Sequence, residues 1–263
     1  DEDSYLASVN VAHNLASLYF RAFDEPFVEE IKSYAVNYFR KILSNLGWDP
    51  KKSDKHTDAL LRTFAIAVLG KMNDDSVTDE AIRKYKKFLK SPRSLSPDLI
   101  ETICSIAAWN GNSKTFAELK KLYTNAKTME EKLRFLGAMC GFQDKKLLIK
   151  TLDFSQTAAV RSQNMQLPIM KIAGNPYGDK VLWSWLKKNW KKINKKVGHG
   201  NPLFNRIVAS ITGVADDSME KEIKLFFKNN PTPGTERTQS QTLERIRINS
   251  KFLRSMRKEF KNG

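Results

Sequence analysis

The chain has 263 residues, 41% apolar and 10% aromatic, with 12 glycines and 9 prolines; that supports a sizeable core, excludes disorder as the main state, and supplies too few turn formers for a many-stranded β fold. The net charge of +16 is skewed: residues 1–50 carry 4 basic and 8 acidic side chains, 51–150 carry 20 and 12, and 151–263 carry 21 and 9. Such an excess suits nucleic acid, an acidic partner or a field that draws anionic ligands.

Helical spacing runs through the chain. Residues 4–21 place Tyr5, Val9, Ala12, Ala16, Tyr19 and Phe23 on one stripe. Phe27, Ile31, Tyr34, Tyr38, Ile42 and Leu46 repeat it, with Gly47 as C-cap. A helix over 57–69 stops at Gly70, and Thr78 with Asp79 and Glu80 predicts the N-cap and acidic first turn of the next. Ser96-Pro97-Asp98 opens a helix with proline at its first position, and 113–123 follows. Thr128 and Glu131 have the spacing of a capping box. Further helices are predicted over 145–152, 158–172, 181–197, 203–211, 218–227 and 235–260. Sustained period-2 alternation is lacking. The expected fold is all-α: paired helices in series, either a HEAT- or armadillo-like solenoid or a compact irregular bundle. The Pro- and Gly-rich stretches are short, so 1–263 reads as a single domain.

No run approaches the ~18 apolar residues of a membrane span. At the acidic start a signal peptide is expected to be either absent or removed before this numbering begins, and the missing initiator Met suggests a piece of something longer. Cys104 and Cys140 lie in apolar helical contexts and read as buried thiols in a reducing compartment.

Catalytic chemistry is sparse. His13, His56 and His199 share no helix turn, and no His-Glu-x-x-His, Gly-x-Ser-x-Gly, phosphate-binding loop or dinucleotide fingerprint occurs. The paired acids Asp74-Asp75, Glu130-Glu131 and Asp216-Asp217 read as helix caps. The lysine-rich run from Trp183 to Val197 carries Trp183, Leu186, Trp190, Ile193 and Val197 on one stripe, which predicts a buried face with solvated lysines opposite. A basic amphipathic surface is the other reading.

The stretch Asn175-Pro176-Tyr177-Gly178, followed by Trp183-Ser184-Trp185-Leu186 and Asn189-Trp190, resembles the C-terminal helical domain of gluzincin zinc aminopeptidases. That family includes aminopeptidase N, the endoplasmic-reticulum aminopeptidases and the archaeal tricorn-interacting aminopeptidases. Supporting pieces keep the family's order: Leu46-Gly47-Trp48 before Leu60-Leu61-Arg62, Arg161-Ser162-Gln163, Glu222 to Phe226-Phe227, and Gln241 to Ile246 with Asn249.

The resemblance implies a bowl-shaped α-solenoid that closes a peptide cavity over a catalytic domain outside this chain. Zinc and its ligands belong to that domain, so no cofactor, metal ligand or catalytic residue is expected here. Gly137-Ala138-Met139 imitates the start of the family's amine-binding motif, but Cys140 and Gly141 replace its Glu and Asn, so it reads as core. The candidate peptide-cavity residues implied are Arg161, Gln163, Glu244, Arg245 and Tyr19. Tyr19 matches the Tyr of a Tyr-Lys pair that holds peptide carboxylates in some relatives; Phe20 follows it, and Gly141 stands at the distant Arg position. The expected partners are the catalytic domain and peptide substrates, with neither nucleic acid nor membrane, in the cytoplasm. The alternative is a free-standing helical-repeat scaffold that binds protein or nucleic acid.

Overall fold

The structure, a computed structural model, describes residues 2–198, 201–213 and 217–262, with side chains described within 9–198, 201–211 and 219–260. Among the described residues every regular element is helical. The chain divides into two compact units, Asp1–Phe142 and Gln143–Gly263.

The first unit holds α1 (Glu2–Arg21), α2 (Val28–Leu46), α3 (His56–Lys71), α4 (Asp75–Lys90), α5 (Pro97–Trp109), α6 (Ser113–Asn125) and α7 (Met129–Ala138). Helix α1 packs on α2 and α3, α3 on α2, α4 and α5, and α5 on α4, α6 and α7. Odd-numbered helices thus neighbour one another in series, and even-numbered ones sit against them. Small residues allow the closest approach: a Cβ on Gly70 of α3 would fall 2.5 Å from Ile106 of α5.

Joints between these helices follow from local chemistry. Gly47 ends α2 at φ 71, and its N–H bonds Leu43 O. The last carbonyls of α2 are then met by Arg62, only 1% exposed: its Nε donates to Gly47 O at 3.0 Å, and Nη2 to Leu46 O at 3.2 Å and to Asp54 Oδ2 at 2.6 Å. A buried guanidinium is tolerable because three of its five N–H donors are occupied and its charge is paired with Asp54. The capping box at Thr128 and Glu131 forms as spaced. Gly137, Ala138 and Met139 are buried.

Three expectations shift. The cap before α4 is Asp74, whose carboxylate accepts from Val77 N, because Asn73 turns the chain at φ 56; Thr78 lies inside the helix. On α2 the buried side chains are Ile31, Ala35, Phe39 and Leu43, while Tyr34 is 65% exposed. The small Ala35 lets Phe39 turn inward, which rotates the stripe from the aromatic-rich row.

The second unit holds α8 (Lys145–Ser155), α9 (Gln166–Ala173), α10 (Asp179–Val197), α11 (Pro202–Ala209), α12 (Asp217–Asn229) and α13 (Glu236–Asn262). The third shift lies here: the helix expected over 158–172 begins only at Gln166. A helix running through Pro168 would lose one hydrogen bond and set the ring against the carbonyl of residue 164, so the proline is confined to the first turn. Helix α9 packs on α8, α10 and α11, and α13 packs on α11 and α12. His199 and Asp216 lie outside the described residues, as does the Asp217 side chain.

Candidate functional site

The Asn-Pro-Tyr-Gly segment is a corner between α9 and α10. Asn175 Oδ1 accepts from Tyr177 N at 2.9 Å, and Gly178 N donates to Asn175 O at 2.7 Å. A Cβ on Gly178 would fall 2.3 Å from Ile172 O, so only glycine fits. The corner aims α10 so that Leu182, Trp183, Leu186, Trp190 and Ile193 are buried.

Trp183 and Trp190 are each 2% exposed. Trp190 meets Phe204, Phe226 and Phe227 edge-on at 5.4, 5.4 and 5.6 Å, and Trp183 meets Phe226 at 5.1 Å. Trp183 Nε1 donates to Glu222 Oε1 at 3.1 Å. Lys187 pairs with the same oxygen and lies over the Trp183 ring. The Lys187 ammonium and the Trp183 N–H both favour the ionised carboxylate, holding Glu222 below its usual range. Lys188, Lys191, Lys192 and Lys195 face solvent, as expected. Burial lowers Lys196, helped by nearby Lys192, and its ammonium donates to Gln156 O at 3.2 Å.

The candidate cavity residues fall in different places. Arg161 precedes a 3-10 turn, Ser162–Asn164, between α8 and α9, and its carbonyl accepts from Asn164 N at 2.9 Å. Arg161 and Gln163 are both exposed on this turn. Among the described residues no carboxylate lies within ion-pair distance of Arg161. Glu244 and Arg245 are exposed on α13. Tyr19 lies in the first unit, 4% exposed and edge-on to Phe20 and Phe23, which leaves little of its surface for a ligand.

One base had no motif to mark it. Arg206, exposed on α11, donates to Gln166 Oε1 at 3.4 Å, near the Arg161 turn in sequence. On α13, Arg247 is engaged by Glu220, Nη2 to Oε1 at 2.6 Å. Exposed guanidinium forks such as Arg161, Arg206 and Arg245 can each hold a carboxylate through two parallel hydrogen bonds. Among the described residues no group of three His, Cys, Asp or Glu side chains could hold a metal ion. Among them, too, no helix is long and apolar enough to cross a membrane.

The sequence model of the family described as "ERAP1-like C-terminal domain" matches residues 1–248. The chain is 30% identical over 264 residues to Aminopeptidase M1-D of Oryza sativa subsp. japonica, covering 98% of this chain and 30% of that protein. It is 27% identical over 241 residues to Aminopeptidase M1 of Arabidopsis thaliana, covering 90% of this chain and 27% of the relative. It is 25% identical over 260 residues to the mitochondrial Aminopeptidase 2 of Saccharomyces cerevisiae, covering 96% and 27%. The chain therefore spans less than a third of the length of these relatives.

Proposed function

Because this chain belongs to the ERAP1-like C-terminal domain family of M1 aminopeptidases, we propose that it is the non-catalytic C-terminal domain of a zinc-dependent enzyme that removes N-terminal residues from peptides. The observation that carries the reading is the match across both compact units to proteins more than three times as long. Zinc, its ligands and the general base are assigned to the remainder of the protein, which is also the domain's principal partner.

The domain's role in this reading is to close the substrate cavity and hold peptide tails. The serial packing of α1, α3, α5 and α7 supports a stack of helix pairs in the first unit. The exposed bases of the second unit support attraction of a peptide's free carboxylate. Arg161 is the first choice for that contact, since it combines the Arg-x-Gln turn with exposure and lacks an ion-pair partner among the described residues. Cys104 and Cys140 are buried, and the reading takes the protein to be cytoplasmic.

The test uses the full-length enzyme with a longer peptide and its C-terminally amidated twin. Arg161→Gln should raise KM for the free acid and leave the amide and a single-residue reporter nearly unchanged. Equal losses on acid and amide make Arg161 structural. No loss on either moves the search to Arg206 and Arg245. Tight, salt-sensitive binding of nucleic acid by a protein without peptidase activity favours the scaffold reading instead.

A further inference from the structure

The outer face of α10 carries charge of one sign. Seven of its positions are exposed, and six of them are lysines: Lys180, Lys187, Lys188, Lys191, Lys192 and Lys195; the seventh is Ser184. At 100° and 1.5 Å per residue the six fall within an arc of roughly 140° and a length of roughly 22 Å. Glu222 pairs with Lys187. Among the described residues no carboxylate lies within ion-pair distance of the other five.

This arrangement weakens the helix it sits on. Lys187 with Lys191, Lys191 with Lys195, and Lys188 with Lys192 are like charges at i,i+4, each of them unfavourable. The negative end of the helix dipole favours lysines in the last turn, such as Lys195, but does not reach Lys180, Lys187 or Lys188. Solubility asks only for charges of mixed sign. The exposed face of α4 is of that kind, with Asp75 and Asp79 beside Arg83 and Lys86.

The chemistry of the face selects its partner. Trp183, Trp185 and Trp190 are buried, so α10 offers no ring on which a nucleic-acid base could stack. It carries no arginine, the residue whose fork reads guanine or grips a phosphate through two bonds. Protein interfaces centre on aromatic and Arg anchors and are depleted in Lys. Hydrated ammonium groups on flexible four-carbon stems suit a broad anionic surface whose charges can move to meet them. A duplex is a fixed convex cylinder and touches a convex helix along a short line, whereas headgroups of a fluid bilayer can gather beneath all six lysines. We propose that the lysine face of α10 docks the protein, peripherally and reversibly, on a membrane surface rich in anionic phospholipid. Leu186, Trp190 and Ile193 stay in the core, so the attraction is electrostatic, about fivefold in partitioning per lysine. The proposal departs from the sequence-based expectation of no membrane partner. It rests on α10 alone and does not depend on any cavity role.

Co-sedimentation of the full-length protein with lipid vesicles tests it. At ~0.1 M salt, where charges act over about 10 Å, the protein should pellet with vesicles that are about one-third phosphatidylserine. It should stay in solution with pure phosphatidylcholine, and ~0.5 M salt should release it from the anionic vesicles. Lys188→Gln, Lys191→Gln and Lys195→Gln together should weaken partitioning about a hundredfold. The same three changed to Arg should bind as the wild type does. The Gln variant should melt no lower than the wild type, because it removes like-charge repulsion. Failure to bind anionic vesicles, or equal binding by the Gln variant, overturns the proposal. A Gln variant that melts lower marks these lysines as part of the fold and overturns it too. So does binding to a DNA duplex that is tighter than to vesicles and lost in the same variant, which assigns the face to nucleic acid.

Discussion

Trp183 donates its indole N–H to Glu222 across 39 positions of sequence, at 3.1 Å. Glu222 therefore links the helix after the Asn-Pro-Tyr-Gly corner to the phenylalanines of its own helix, Phe226 and Phe227. Pieces of sequence that look like separate family signatures are contacts of one packed cluster. Their role in the fold precedes any role with a ligand.

Trp190 fills the centre of that cluster. Trp190→Ala should destabilise the protein by about 3–5 kcal/mol as a large-to-small core change. Chemical denaturation measures this, and a loss under ~1 kcal/mol would show that the tryptophan face is a surface.

Arg62 closes the end of α2. Arg62→Ala should cost about 3–5 kcal/mol, because it strips partners from the Leu46 and Gly47 carbonyls and from Asp54. Asp54 is held below the usual carboxylate range by the Lys51 backbone N–H and the Arg62 guanidinium, against a smaller cost of desolvation. A depressed folded-state pKa contributes stability that is present above the unfolded value, near pH 4, and is lost as pH falls through the folded value. Urea titrations from pH 6 down to 2 should show that loss in the wild type. Asp54→Asn should be weaker at neutral pH and flatter over the acid range; equal slopes would remove Asp54 from the account.

The glycines of the second unit separate two kinds of constraint. Gly178→Ala forces a Cβ against Ile172 O and should prevent the corner from closing, giving loss of folding or a drop of several kcal/mol. Among the described residues Gly198 has open space around its Cβ position, but its φ is +83 with ψ 151, a conformation essentially confined to glycine. Gly198→Ala should cost about 1–3 kcal/mol through backbone strain alone. Thermal melts of the two variants would reverse this order if the corner is not tight.

The all-α class was legible because it rests on periodicity and on caps that act within one turn, as at Thr128 with Glu131 and at Ser96-Pro97. What escaped depends on neighbours distant in sequence. Tyr34 and Ile31 fit the same helical stripe, and only packing beside Ala35 and Phe39 selects Ile31 for burial. Asp74 was legible as a cap, but Thr78 offered the same chemistry four residues on, and the left-handed turn at Asn73 decided between them. Arg161 is singled out by its motif, whereas Arg206 follows no pattern and comes into view only through its bond to Gln166. Tyr19, singled out by likeness to a ligand-binding position, is 4% exposed and lies edge-on to Phe20 and Phe23.

In the proposed reading this chain is one domain of an aminopeptidase whose chemistry resides elsewhere in the protein. The most direct measurement compares the full-length protein with residues 1–263 alone, using aminoacyl reporter substrates with and without a zinc chelator. Turnover should appear only in the full-length protein and should disappear with the chelator. Zinc-dependent turnover by purified residues 1–263, or no aminopeptidase activity in the full-length protein, would contradict the account.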